Sequence, residues 1–127
     1  MTYDIKNDIA KVLLSEEEIQ NIVKRISKEI DEYYKDRDAR LVLLCILKGA
    51  VVFMGDLMKN ITVPVEIDFM KVSSYGAGTA STGRINILLD LHRQDLPDVD
   101  IIVIEDIIDS GNTLNFIKKY FSAKNCN

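Results

Sequence analysis

The sequence has few of the residues that build metal centres and disulfide frameworks. Its 127 residues include two cysteines, one histidine, two prolines and no tryptophan. A single histidine, His92, with two scattered cysteines excludes a zinc site of the usual Cys/His type. Cys45 lies inside an apolar run and Cys126 is next to last, so we expect free thiols and a reducing, cytoplasmic location.

Long apolar runs and basic blocks are also absent. No run approaches the ~20 residues of a membrane span, and the first residues lack a basic-then-apolar signal pattern. Sixteen basic and twenty acidic residues give a formal net charge of −4. This charge, without a basic cluster, predicts neither a nucleic-acid nor a membrane partner.

What remains is the composition of an ordinary globular protein, 47% apolar and 28% charged. The length fits one domain, and no repeat or linker divides the chain, so we predict a single domain over residues 1–127.

Hydrophobic periodicity predicts a first amphipathic helix. Ser15 and Glu18 have the spacing of a capping box, and the helix they open is expected to end near Lys35. Its apolar residues recur at steps of three and four, and they are Ile19, Ile22, Val23, Ile26, Ile30 and Tyr33.

Strands and helices then alternate along the chain. Unbroken apolar runs predict strands buried on both faces at 41–47 and 101–104. Two more strands are predicted at 63–72 and 85–91, two helices at 50–60 and 113–121, and a glycine-rich loop at 73–84. This order predicts an α/β fold with a mainly parallel sheet flanked by helices.

The unusual residues fall where the two buried strands end. One strand ends in Leu47-Lys48-Gly49 and the other in Ile104-Glu105-Asp106. Ligands of open α/β sheets bind beyond the carboxyl ends of the strands. Five of the six glycines lie in the three loops expected at that edge, where glycine allows the backbone to approach a ligand closely.

Residues 109–113 enter the last predicted helix with small side chains. Free N–H groups and the helix dipole at such a start favour a phosphate. The plainer alternative is that Ser110 or Asn112 only caps the helix. Glu105 and Asp106 would repel a phosphate unless a divalent cation or sugar hydroxyls lie between them, although a surface salt bridge is the ordinary role for such acids. Together these features favour a magnesium-bound sugar phosphate.

Two nucleotide-binding motifs are absent from the chain. There is no Gly-x-x-x-x-Gly-Lys-Ser/Thr sequence, and Gly76-Ala77-Gly78 lies between predicted strands rather than before a helix. These absences exclude a P-loop and a Rossmann fingerprint.

Residues 102–114, Ile-Val-Ile-Glu-Asp-Ile-Ile-Asp-Ser-Gly-Asn-Thr-Leu, resemble the phosphoribosyl-diphosphate (PRPP) signature of type I phosphoribosyltransferases. Among these enzymes the pattern is most similar to the hypoxanthine-guanine branch. Leu47-Lys48-Gly49 resembles the family's diphosphate loop, and Ser74-Tyr75 resembles the start of its mobile lid. The resemblance runs from about residue 9 to about residue 121. It implies Mg²⁺-dependent transfer of ribose 5-phosphate from PRPP to a 6-oxopurine, giving IMP or GMP and diphosphate.

The resemblance also implies roles for the acidic residues. Glu105 and Asp106 would hold the ribose hydroxyls and a Mg²⁺, directly or through water. Asp109 would act as general base or acid toward the proton at purine N7.

Three loops supply the rest of the implied site. In the family a cis peptide precedes the lysine of the diphosphate loop, here Lys48, with Gly49 following it. The lid that begins at Ser74 and Tyr75 would close over the reacting centre and exclude water. The 5′-phosphate would be held by Ser110, Gly111, Asn112 and Thr113.

The chain departs from the family after the helix at 113–121. Family members continue with strands that carry the base-reading lysine, a stacking aromatic, a further Mg²⁺-binding aspartate and a diphosphate arginine, and none has a counterpart here. We therefore expect an exposed strand edge at 101–104, weak Mg·PRPP binding and little turnover. Two alternatives stay open, a non-catalytic PRPP- or nucleotide-binding module and an inert truncated fragment. Full-length relatives commonly form dimers or tetramers.

Overall fold

The computed structural model describes residues 4–75 and 84–126 as a four-stranded sheet with helices on both faces. The helices are α1 Glu16–Tyr34, α2 Val51–Asn60 and α3 Asn112–Ala123. The strands are β1 Arg40–Ile46, β2 Val65–Tyr75, β3 Arg84–Leu89 and β4 Val99–Ile104, in the order β3-β2-β1-β4. Short 3-10 turns cover Ile5–Asp8 and Leu96–Asp98. Strand β1 is parallel to β2 and β4, and only the β2–β3 pair is antiparallel, which confirms the mainly parallel α/β fold.

Strand β1 is the centre of the core, as its unbroken apolar run predicted. Leu44 faces the layer of α3, where it belongs to one cluster with Ile117 and Phe121. Leu43 faces the opposite layer, where it belongs to a second cluster with Met54 of α2. Full burial of one such side chain stabilises the fold by about 1.5–3 kcal/mol, so both layers are tied to this strand. None of the helices among residues 4–75 and 84–126 is long and apolar enough to cross a membrane.

Helix α1 begins as predicted but buries a narrower stripe. Ser15 Oγ accepts from the N–H of Glu18 at 3.1 Å, and Glu18 Oε2 accepts from the N–H of Ser15 at 2.7 Å, so the capping box is present. The buried residues are Val23, Ser27 and Ile30. Three of the apolar residues predicted to face the core are instead exposed, and they are Ile19, Ile22 and Tyr33. The reason is geometric, because α1 packs against α2 and the sheet along a single line of positions, i, i+4 and i+7. Val23, Ser27 and Ile30 occupy that line.

Substitution of two serines, one at the start of α1 and one within it, is expected to change the free energy of unfolding in opposite directions. Ser27→Ala should raise the free energy of unfolding by up to about 1 kcal/mol, because its buried Oγ has no hydrogen-bond partner within the described residues. Ser15→Ala should lower it by about 1 kcal/mol through loss of the cap. Urea unfolding of both variants checks the signs. A loss of stability in Ser27→Ala would contradict the expectation.

Strand β4 is less buried than its sequence predicted. Val99 and Ile104 are buried, but Ile101, Ile102 and Val103 are only half-buried. Among the described residues β4 pairs with β1 alone, so one edge of the strand is open, as expected for residues 101–104. An apolar run indicates that a strand is suited to burial on both faces, but the burial is complete only where neighbouring elements cover the strand.

The β2–β3 hairpin is longer than predicted, and this corrects the loop assigned to residues 73–84. Strand β2 runs on to Tyr75 and β3 begins at Arg84, with these two residues paired. Strand pairing uses backbone N–H and C=O groups, so a hairpin can continue through polar residues such as Ser73 and Asn86, which are paired here. The sequence there has no apolar alternation that would predict the strands. Residues 76–83, the rest of the predicted loop, lie outside the described residues.

Tyr120 connects α3 to the end of β3, and we expect this link to make stability fall at high pH. Its hydroxyl donates to Asp90 Oδ2, and burial with this hydrogen bond raises the pKa of Tyr120 from 10.0 to about 12. The protonated form is favoured on folding, so the stabilisation is complete below pH 10 and is lost as pH rises towards 12. After a discount for partial exposure the contribution is about 1 kcal/mol.

The measurement is urea unfolding of Tyr120→Phe and the parent chain between pH 8 and about pH 12. The variant should be less stable at pH 8, and the difference should shrink as pH rises. Tyr33→Phe is the control, because Tyr33 is 56% exposed. Equal pH profiles for Tyr120→Phe and the parent would contradict the assignment.

Candidate active site

The loops that leave β1 and β4 share one edge of the sheet. Cys45 near the end of β1 pairs with Ile104 at the end of β4, and the two strands are parallel. From β1 the chain crosses to β2 on one side, while β4 lies on the other side. Such a reversal of strand order opens a crevice between the two carboxyl ends, which is where α/β sheets bind ligands.

The loop after β1 has a backbone geometry that is rare in proteins. The Leu47–Lys48 peptide bond is cis, although Lys48 is not proline. The N–H of Leu47 donates to Met70 O at 2.9 Å, which holds the entry to this loop against β2. Lys48 and Gly49 are exposed, and the N–H of Val51 donates to Lys48 O at 3.2 Å as α2 begins. The loop of Lys48 and Gly49 therefore lies at the carboxyl edge of the sheet, and its binding of diphosphate stays a prediction.

The carboxylate of Asp106 lies against the backbone of Gly49. A Cβ added at Gly49 would lie 2.9 Å from Asp106 Cγ and 3.0 Å from Oδ1, closer than side chains pack. Glycine at this position therefore allows the Asp106 carboxylate to approach the backbone of Gly49 this closely. The contact joins one residue of each predicted loop, the diphosphate loop and the acidic ribose loop.

Glu105 and Asp106 form a concentrated negative charge above the core. Burial raises the pKa of Glu105, and the side chain of Asp106 raises it further. Glu105 Oε1 accepts from the N–H of Asp106 at 3.1 Å. Below them, burial raises the pKa of the Cys45 thiol, with added effects from both carboxylates. Sequence reasoning placed Cys45 only in the core, because its position under the acids depends on the β1–β4 register.

The loop that leads into α3 carries backbone groups and small side chains. Asp109 and Ser110 are exposed, and Gly111 takes a left-handed conformation with φ of +81° just before the helix. Ser110 Oγ accepts from the N–H of Asn112 at 3.3 Å. This bond occupies one N–H, and residue Gly111 itself provides no side-chain cap. The next N–H groups at a helix start, those of Thr113 and Leu114, have no acceptor within the helix, as a phosphate site requires.

Ser74 and Tyr75 lie in β2 rather than in a loop. Strand β2 continues five residues past Met70, the residue that pairs with the last residue of β1, Ile46. At about 3.3 Å per residue this places Tyr75 roughly 16 Å beyond the paired edge, on the side where the crevice opens. The structure thus places Ser74 and Tyr75 in a strand at this edge, and their role at the start of a lid stays a prediction. The loop that would close is in the residues that the structure does not describe.

Glu105 and Asp106 place two neighbouring carboxylates at this edge of the sheet. No cluster of three or more His, Cys, Asp or Glu side chains suited to a metal ion occurs in residues 4–75 and 84–126. This donor set does not suit zinc, but it fits Mg²⁺, which is commonly held by one or two carboxylates together with substrate phosphates and water. Glu105 and Asp106 are therefore the residues that could hold such an ion.

A family model described as a phosphoribosyl transferase domain matches residues 11–127. The chain belongs to the phosphoribosyltransferase family. It is 48% identical over 120 residues to the hypoxanthine-guanine phosphoribosyltransferase of Staphylococcus epidermidis, covering 94% of this chain and 65% of that protein. It is 47% identical over 117 residues to the enzyme of the same name from Bacillus subtilis, covering 92% of this chain and 63% of the relative.

Solved phosphoribosyltransferase structures have the same fold. The crystal structure of a hypoxanthine phosphoribosyltransferase from Staphylococcus aureus superposes with a TM-score of 0.89 at 41% identity, covering 100% of this chain and 67% of that one. The resemblance read from residues 102–114 and the predicted fold are thereby confirmed. The chain spans about two thirds of the length of the curated relatives it matches.

Proposed function

We propose that this chain binds Mg·PRPP and contributes the sugar-phosphate half of a hypoxanthine-guanine phosphoribosyltransferase site. The observation that carries the proposal is the contact between Asp106 and Gly49, which brings the acidic loop onto the cis-peptide loop. The names of relatives at 47–48% identity support the purine salvage reaction, in which ribose 5-phosphate passes to hypoxanthine or guanine. Diphosphate, with IMP or GMP, would be the product.

Different residues are proposed to bind different parts of PRPP. Glu105 and Asp106 accept hydrogen bonds from the ribose hydroxyls. Lys48 and the backbone of Gly49 hold the diphosphate, and the start of α3, with Ser110, Gly111, Asn112 and Thr113, holds the 5′-phosphate. Three loops at one sheet edge thus fix the sugar by both ends, which is the positioning that lowers the entropy cost of transfer.

Asp109 is the proposed acid–base residue. In the transfer, the bond from ribose C1′ to diphosphate breaks and a bond from C1′ to a purine nitrogen forms. Asp109 is exposed on the loop between the acids and the phosphate site, where it can take or return the proton at purine N7. Its carboxylate also favours the positive charge that develops on the ribose. The hairpin ending at Ser74 and Tyr75 is the proposed lid support.

Mg²⁺ is the proposed cofactor, held by Glu105 and Asp106 together with the substrate. When bound, it offsets the negative charge of the diphosphate. Burial is the main cause of the raised pKa of Glu105, and the neighbouring Asp106 raises it further. This second effect supports the proposal, because two adjacent carboxylates favour a cation between them and the phosphates. The free thiols of Cys45 and Cys126 support a cytoplasmic location. Assembly into dimers or tetramers, as in the full-length family, stays a prediction.

A second candidate is a PRPP-binding module without base chemistry. It is favoured by the described loops themselves, because Glu105, Asp106 and the start of α3 are all suited to the sugar phosphate. Base recognition depends on polar groups that pair with the purine edge, and sites lacking such partners lose discrimination by orders of magnitude. Under this reading the chain binds the sugar phosphate and turns over little or none of it.

Thermal unfolding with ligands separates these possibilities. At a PRPP concentration about ten times the dissociation constant, Mg·PRPP should stabilise the chain by about 1.4 kcal/mol, and raise Tm by roughly 4 °C over Mg²⁺ alone. Added hypoxanthine should give little IMP, measured by chromatography. No Tm shift at any PRPP concentration would contradict the sugar-phosphate site, and rapid IMP formation would contradict the module.

A further inference from the structure

The start of α3, which is the proposed 5′-phosphate site, is tied to the rest of the chain by local bonds. Ser110 Oγ accepts from the N–H of Asn112 at 3.3 Å, and Gly111 O accepts from the N–H of Asn115 at 2.9 Å. Neither bond fixes the helix against the sheet. Because the backbone hydrogen bonds of a short helix make it move nearly as one rod, contacts farther along α3 determine where its first N–H groups lie.

Apolar contacts hold the middle and the end of α3 on the sheet. Ile117 and Phe121 are buried, and both belong to the cluster around Leu44 of β1. The hydrophobic effect is not directional. These contacts therefore resist lifting of the helix from the sheet more strongly than a sideways swing across it.

A hydrogen bond at Tyr120 supplies the missing direction. Its hydroxyl donates to Asp90 Oδ2, and Asp90 Oδ1 accepts from the N–H of Leu91 at 2.7 Å. The accepting carboxylate is thus held through both oxygens, and Leu91 packs against the same core cluster as α3. In the parts of the chain that the structure describes, no other side chain of α3 makes a hydrogen bond to another element.

The position of Tyr120 along α3 gives this bond leverage over the phosphate site. From Ile117, Asn112 lies about 7.5 Å along the helix axis in one direction and Tyr120 about 4.5 Å in the other. If the buried Ile117 acts as a pivot, a swing of about 1 Å at Tyr120 moves the start of α3 by roughly 1.7 Å. Displacements of this size are enough to weaken binding at a site built by positioning.

We propose that Tyr120 is a positioning residue for the 5′-phosphate of PRPP, and that it acts by fixing the orientation of α3 through Asp90. The inference rests on the proposed function, because it concerns the same phosphate site. The bond also connects two sides of that site. Asp90 directly follows β3, the strand that pairs with Ser74 and Tyr75 of β2.

The strength of one hydrogen bond limits the expected effect. A bond of this kind can favour the binding-competent orientation of α3 by no more than about tenfold, because its net contribution is modest. A ligand can gain only what separates the two orientations. We therefore expect loss of the Tyr120 hydroxyl to weaken phosphate binding by about fivefold rather than to abolish it.

The test is Tyr120→Phe, which removes the hydroxyl and keeps the ring. The ring is stacked on Phe116 with centroids 6.2 Å apart, and Lys124 Nζ lies 4.9 Å from its centroid, so both contacts remain available. Titrations followed by amide NMR should show ribose 5-phosphate binding weakened by about fivefold. Binding of Mg·diphosphate should be unchanged, because Lys48 and Gly49 lie before α2 and not on α3.

Matched variants separate positioning from a general loss of stability. Ser15→Ala is expected to lose a similar amount of stability, but α1 lies in the layer opposite α3, so it should bind ribose 5-phosphate like the parent. Asp90→Asn keeps an oxygen that can accept from Tyr120 and should restore binding to within about twofold of the parent. Asp90→Ala should weaken binding like Tyr120→Phe, and the double variant should be no weaker than either one.

The outcomes distinguish the inference from the proposed function. Parent-like binding of ribose 5-phosphate by Tyr120→Phe would overturn the positioning role, and so would equal weakening in Ser15→Ala. Weaker binding of Mg·diphosphate as well would indicate a general loosening and would also overturn it. A parent chain that binds neither PRPP nor ribose 5-phosphate would overturn the proposed function, and this inference with it.

Discussion

Gly49→Ala is expected to weaken Mg·PRPP binding by about 100-fold, a loss typical of displaced charged hydrogen-bonding groups. The added methyl group would lie 2.9 Å from Asp106 Cγ and 3.0 Å from Oδ1, so the carboxylate or the cis-peptide loop must move. Either movement separates the groups proposed to hold the ribose and the diphosphate. Isothermal titration with PRPP in Mg²⁺ buffer measures the effect.

Gly55→Ala is the matched control for this substitution. Gly55 lies inside α2, and a Cβ there would meet nothing within 4 Å. The variant should bind PRPP like the parent, and its free energy of unfolding should rise by about 0.5–1 kcal/mol because alanine favours the helix. If the two alanine variants bound PRPP equally well, the contact at Gly49 would have no part in the site.

Asp106→Asn is expected to abolish the Tm increase produced by Mg·PRPP. The amide keeps the size of the side chain but removes the charge proposed to bind the ion and a ribose hydroxyl. Loss of one ionised partner in a site of this kind costs about 2–3 kcal/mol, which exceeds the stabilisation expected from PRPP at ten times its dissociation constant. Thermal melting with and without ligand checks this.

The ligand-free chain separates lost binding from unfolding. Burial raises the pKa of Glu105 most, and Asp106 raises it further. Neutralising Asp106 removes one source of repulsion, so the ligand-free Tm should be unchanged or slightly higher. Asp36→Asn is the control, since Asp36 is exposed in the turn after α1, away from the crevice. A full Mg·PRPP shift in Asp106→Asn would refute the role of this carboxylate.

Local patterns predicted those parts of the molecule that depend on neighbours in sequence. The capping box of Ser15 and Glu18, the central burial of β1 and the helix after Gly111 all follow from residues a few positions apart. The PRPP-like signature is likewise continuous in sequence, so it indicated the family before any fold was known. Such features are readable because hydrogen-bonding and side-chain periodicity act within one element.

Other features depended on what each element touches. Contacts between elements explain three differences from the predictions. They are the exposure of Ile19 and Ile22, the half-burial of Val103 and the extension of β2 to Tyr75. Each depends on whether the described residues place another element beside the one concerned. A hydrophobic pattern states that a residue is suited to burial. Only the packing of layers determines whether a partner is there.

The sequence by itself determined the α/β class, the central strand and the chemical types gathered for a sugar phosphate. Tertiary structure alone decided that Asp106 rests on Gly49, because these residues are far apart in the chain and meet only through the parallel register of β1 and β4. It also decided that β4 pairs with β1 alone among the described residues and is only half-buried at its centre. The physical reason is that strand pairing and layer packing are long-range interactions, set by the whole sheet rather than by any one segment.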